Sequence, residues 1–128
     1  MKNILIIDDD PDFVKATQFV LEKQGYSVDS AGGGKAGFQK TKDEQPDLII
    51  LDVMMDTVLD GVTFCRNMHD EELIKDIPII MVTSIANTDY AELFPTDRYI
   101  PVDAFLCKPI DPEHLLNKIN KIFSGITV

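Results

Sequence analysis

Five short apolar runs recur along the chain at similar intervals: Ile4–Ile7, a weaker Tyr26–Ala31, Leu48–Leu51, Ile79–Val82 and Ala104–Leu106. Each is only a few residues long, rich in β-branched side chains and bounded by polar or turn-forming residues, the pattern of strands buried on both faces. Between the runs the period changes to that of helices. In the first such segment Phe13, Thr17, Val20, Leu21 and Gln24 fall on one stripe, opened by Asp10-Pro11 and closed by Gly25. A side-chain cap followed by Pro at the first helical position starts a helix, and Gly ends one. The last segment repeats the device: Asp111-Pro112 opens it, Leu115, Leu116, Ile119, Ile122 and Phe123 form its apolar face, and Gly125 ends it. The stretch from Ser84 to Asp103 is the least regular, because Pro95 and Pro101 interrupt any helix around Tyr90–Phe94. It reads as a shortened fourth helix plus a loop.

Strand and helix alternating five times over predict an α/β fold, a parallel sheet with helices on both faces. Right-handed crossovers leave few topologies open. With no break in composition, no low-complexity linker and no internal repeat, residues 1–128 are expected to form one domain.

The chemistry gathers at one rim. In open parallel sheets, ligands bind beyond the carboxyl ends of the strands. Asp8 and Asp9 follow the first run in "ILIIDDDPDF", Asp52 closes "PDLIILD", Thr83 follows "PIIMV" and Lys108 follows "DAFLC". If the first and third strands are neighbours, the carboxylates of Asp8, Asp9 and Asp52 converge. Two such charges about 5 Å apart repel by roughly 3 kcal/mol at an effective dielectric near 20. A hard divalent cation such as Mg²⁺, or the Lys108 ammonium reaching across the rim, would relieve that repulsion. Carboxylate nucleophile, cation, hydroxyl and ammonium are together the parts for phosphoryl transfer to a carboxylate. Asp10 reads differently, as the helix cap.

Composition narrows the partners. The 128 residues carry a formal net charge of -10, which disfavours binding to nucleic acid or an anionic membrane surface. No apolar run is long enough to span a bilayer, and no leader pattern precedes the first strand, so a cytoplasmic location is expected. Cys65 and Cys107 share no metal-ligand or redox spacing and read as reduced, partly buried thiols. The glycine-rich "AGGGKAGF" at residues 31–38 lacks the offset of a phosphate-binding loop and reads as a turn into the second helix. His69 and His114 read as surface residues.

Taken together, Asp8-Asp9, Asp52, Asp60-Gly61, Thr83-Ser84 and Lys108-Pro109 make the chain resemble the receiver domains of two-component response regulators, over essentially its whole length. The resemblance implies a flavodoxin-like sheet of order 2-1-3-4-5. It implies Asp52 as the phosphoacceptor for a histidine kinase or phosphotransfer protein. It implies Mg²⁺ held by Asp8, Asp9, Asp52 and the backbone carbonyl of Met54. Thr83 and Phe105 would act as the switch pair, and Lys108 would pair with the phosphate through a loop whose Lys108–Pro109 bond is cis. The output would be a change in the surface of the fourth helix, fifth strand and fifth helix, read by a downstream protein or an output domain. Beyond accepting a phosphoryl group and slowly hydrolysing it, no enzymatic activity is expected.

The sequence departs from the family pattern in "DVMMDTVLDG", where Asp56 stands near the usual Pro and one extra residue precedes Asp60-Gly61. Met54 and Ile85, both apolar, flank the expected phosphate position and cannot orient a water, which predicts a long-lived acyl phosphate. The alternatives fit less well. A haloacid-dehalogenase-type phosphatase needs a second carboxylate two residues after the nucleophile, where Met54 stands. A flavin or nucleotide carrier needs a phosphate-cradling loop where Asp8-Asp9-Asp10 stands. A degenerate receiver serving only as a docking module would have no need of the complete set.

Overall fold

The apolar runs pair side by side in register. In the computed structural model, β1 (Asn3–Ile7), β2 (Ser27–Ala31), β3 (Leu48–Asp52), β4 (Ile79–Thr83) and β5 (Ala104–Cys107) form one parallel sheet of order β2-β1-β3-β4-β5. The structure describes residues 2–52, 64, 66–83, 104–108 and 110–124, with the side chains of 83, 104, 105 and 107 excepted. The predicted short fourth helix, Met54, Asp56, Asp60-Gly61, Ile85, Pro109 and Cys65 lie outside the described residues, as do the side chains of Thr83, Phe105 and Cys107.

Alternation along the strands divides the core in two. Ile4, Ile6, Leu48, Ile50, Ile80, Val82 and Leu106 face one side, where α1 (Pro11–Lys23) and α3 (Pro112–Ser124) supply Leu21, Leu115 and Ile119. Leu5, Ile7, Ile49, Leu51, Ile79 and Met81 face the other, against Phe38 of α2 (Gly34–Glu44) and against Phe64, Met68 and Ile74. Parallel strands covered by helices on both faces lose their hydrophilic alternation, which is why β1, β3 and β4 are nearly all apolar.

β2, one of the two edge strands, departs from that rule. β2 was expected to be buried on both faces, but only Ala31 is fully buried. Its outer edge is closed by polar groups instead. The Ser30 N–H donates to Asp29 Oδ1 at 2.7 Å, and Lys40 Nζ donates to the Ser30 carbonyl at 2.8 Å and to Asp29 Oδ1 at 3.1 Å. Charged side chains on an edge strand deter pairing with other chains.

Helix ends follow the sequence signals. Asp10 Oδ1 accepts from the backbone N–H groups of Asp12 and Phe13, and Pro11 is the first helical residue of α1. The helix stops at Lys23, and Gly25 takes φ +91°. Gln24, expected on the apolar stripe, lies one residue beyond that end and is exposed. Asp111 Oδ1 accepts from the Glu113 N–H at the start of α3. The three glycines of residues 32–34 lead into α2, which begins at Gly34. Its Gly37 lies so close to β1 that a Cβ there would fall 2.5 Å from Ile7 Cδ1.

Candidate functional site

Every strand of the sheet ends on the same edge, and β1 and β3 are direct neighbours there, Ile7 opposite Leu51. That register carries Asp8, the residue after β1, and Asp52, the last of β3, to adjoining positions. Ligand oxygens of Asp8, Asp9 and Asp52 all lie within 4.8 Å of one another. Asp8 and Asp52 are buried, 3% and 4% exposed, while Asp9 faces solvent. Buried like charges at such spacing need compensation.

Part of it is built into the chain. Asp8 Oδ1 accepts from the Asp10 backbone N–H at 2.9 Å, so the turn that caps α1 also fixes this carboxylate. Lys108, the residue after β5, brings its ammonium to 2.9 Å from Asp8 Oδ2 and 3.7 Å from Asp52 Oδ2. Asp8 Oδ2 is fully buried, and the Lys108 ammonium is the partner that offsets its charge. Lys108 is itself largely enclosed. Burial alone would depress its pKa, but Asp8 and Asp52, helped by Asp10, outweigh that and hold the ammonium above the ordinary lysine range. The lysine is thus fully charged near neutral pH.

The same ammonium lies 4.3 Å from the centroid of the Phe13 ring, a contact that the place of Phe13 on the apolar stripe does not foretell. Periodicity reveals that a residue faces inward; it does not reveal what meets it there.

Of the residues singled out from sequence, Asp8, Asp9, Asp52 and Lys108 are therefore brought together. Thr83 ends β4 directly opposite Cys107, the neighbour of Lys108, so the hydroxyl-bearing and ammonium-bearing residues sit at adjacent strand ends. Phe105 pairs with Met81 within the sheet. Their side chains, and the Met54 carbonyl, lie outside the described residues. His69 and His114 are exposed, as expected.

The fit to a hard divalent cation can be judged from the donors. Three carboxylates converge, two of them buried, and carboxylate oxygens are the preferred ligands of Mg²⁺. The residues present fit the ion.

A doubly wound parallel sheet with an acidic cluster at its carboxyl edge and a lysine reaching in from the neighbouring loop defines the class: a flavodoxin-like receiver fold. Residues 4–120 match the family described as the response regulator receiver domain, and the chain belongs to that family. It is 37% identical over 123 residues to the DNA-binding dual master transcriptional regulator RpaA of Synechocystis, covering 95% of this chain and 49% of that protein. It is 31% identical over 121 residues to the alkaline phosphatase synthesis transcriptional regulatory protein PhoP of Bacillus subtilis, covering 94% of this chain and 48% of that one. The chain thus spans about half the length of these curated relatives. Among solved structures, a CheY-like response regulator receiver domain protein from Methanospirillum hungatei superposes with a TM-score of 0.83 at 29% identity, covering 98% of this chain and 96% of that one. Among the described residues, no helix is long and apolar enough to cross a membrane.

Proposed function

We propose that the chain is a phosphorylation-operated signalling switch in which Asp52 accepts a phosphoryl group from the phosphohistidine of a histidine kinase or phosphotransfer protein. The observation that carries this reading is the convergence of three carboxylates, two of them buried, with Lys108 as the internal countercharge. Such crowding is costly unless the site exists to take a cation and an anion together.

Asp8, Asp9 and Asp52 would hold Mg²⁺, with the Met54 carbonyl as a further ligand; once bound, the ion neutralises the phosphoryl oxygens. The remaining work falls to the chain. An Asp52 carboxylate oxygen attacks phosphorus, forming an O–P bond as the donor's N–P bond breaks and its imidazole nitrogen keeps the electron pair. The Lys108 ammonium, released from part of its contact with Asp52, pairs with a phosphoryl oxygen. The Thr83 hydroxyl, at the next strand end, donates to another, and Phe105 follows it inward. That rearrangement shifts a pre-existing equilibrium on the surface formed by β5, α3 and the segment between β4 and β5. A partner protein or an attached output domain reads the change. Water later cleaves the acyl phosphate and restores the carboxylate.

The test is direct. Incubation with Mg²⁺ and acetyl phosphate should add one phosphoryl group to the wild-type protein by intact mass, and none to Asp52→Asn. Equal labelling of both would remove Asp52 from its role.

A further inference from the structure

Among the described residues, the Lys108 ammonium meets Asp8, Asp52 and the Phe13 ring. Two of them are carboxylates whose charge a bound cation would neutralise. A lysine held only by those groups would lose most of its attraction to the rim at the moment its charge is needed. The third contact is of another kind. An aromatic face attracts an ammonium through its quadrupole, and no divalent ion at the acid cluster competes for it.

The ring's placement is not incidental to the carboxylates. Asp10 Oδ1 accepts from the Phe13 N–H, and the Asp10 N–H donates to Asp8 Oδ1. One turn therefore sets both the anion and the aromatic face that bracket the ammonium. Behind the ring lies a groove of about 460 Å³ between α1 and α3, walled by Phe13, Val20, Ile110 and Leu115 and reaching Lys108. A smaller side chain at position 13 would widen this space beside the lysine.

We propose that Phe13 is a positioning residue for the phosphoryl chemistry: its ring keeps the Lys108 ammonium at the rim while a cation occupies the carboxylates. The proposal rests on the phosphoacceptor function proposed above. Its role is indirect, acting through Lys108 and touching no reacting atom.

Two measurements test it, the first independent of phosphorylation. In the proton NMR spectrum, the Lys108 ε-methylene protons should be shifted upfield by the ring, and should stay so when Mg²⁺ is saturating. Phe13→Leu should abolish the shift and Phe13→Tyr should keep it. Disappearance of the shift in the wild-type protein on adding Mg²⁺ would overturn the proposal. The second is the rate of labelling by acetyl phosphate at saturating Mg²⁺. Phe13→Leu should slow it roughly threefold to tenfold, the range a partly enclosed cation–π contact supports. Phe13→Tyr should restore it to about twofold of wild type, and Phe13→Leu should have no further effect in a Lys108→Ala background. A Phe13→Leu protein that labels at the wild-type rate, or an equal loss in the Lys108→Ala background, would refute the positioning role. Should the wild-type protein fail to label at Asp52 at all, the proposed phosphoacceptor role falls instead, while the NMR result still decides whether the ring holds the lysine.

Discussion

Removing the internal countercharge should cost more than removing the carboxylate expected to carry the phosphate. At an effective dielectric near 20, the Lys108 ammonium attracts Asp8 at 2.9 Å by about 6 kcal/mol and Asp52 at 3.7 Å by about 4 kcal/mol. Carboxylates at the 4.8 Å limit of the cluster repel by about 3 kcal/mol. These gross terms are offset by desolvation, but their balance sets the ranking. Lys108→Met leaves two buried acids facing each other with no cation, a change that typically costs about 3–5 kcal/mol. Because Lys108 keeps 17% of its side chain exposed, the lower end, about 3 kcal/mol, is expected. Asp52→Asn loses the attraction to Lys108 together with the repulsions from Asp8 and from solvent-facing Asp9, so it should cost no more than about 1 kcal/mol relative to wild type. The assay is urea unfolding followed by circular dichroism at neutral pH in excess EDTA. Added Mg²⁺ should then stabilise Lys108→Met more than wild type, since the ion binds the folded protein alone and meets no competing ammonium. A Lys108→Met protein as stable as wild type in EDTA, or Asp52→Asn as damaging as Lys108→Met, would refute the electrostatic account of the rim.

The raised pKa of Lys108 fixes the sign of a pH effect: its stabilisation is fully present below the unfolded lysine value of about 10.4 and is lost as pH rises through the higher folded value. In metal-free buffer the stability gap between wild type and Lys108→Met should therefore narrow above pH 10 or so, and a gap that widens would contradict it. At Gly37 a methyl group would press on the buried Ile7, so Gly37→Ala should destabilise by about 1 kcal/mol despite its better helix propensity, as read by the urea midpoint. Gln45 ends α2 at φ 46°, a left-handed conformation that suits glycine, and Gln45→Gly should raise stability by about 0.5–1 kcal/mol in the same assay.

How far the sequence could be read depended on how directly local pattern reports environment. β1, β3 and β4 were legible because strands covered on both faces must be apolar throughout, and the helix caps because Asp10 and Asp111 satisfy backbone donors within their own turns. The rim acids and Lys108 were legible as strand-end residues, although the strand order that makes β1 and β3 neighbours came from the family resemblance. β2 was read less well, since an edge strand buries one flank only and its polar positions serve Lys40 and the exposed edge. Nothing local to α1 showed that Phe13 meets an ammonium from the far end of the chain. Nor could residue type say that Lys108 lies nearer to Asp8 than to Asp52; that follows from where β5 delivers it.

The most direct test of the account is to locate the phosphoryl group. After incubation with acetyl phosphate, borohydride reduction converts an aspartyl phosphate to homoserine, which peptide mass spectrometry can place in the sequence. Homoserine is expected at position 52 alone, formed with Mg²⁺ and absent in EDTA. Homoserine at another carboxylate, or labelling of Asp52 that does not depend on the divalent ion, would contradict it.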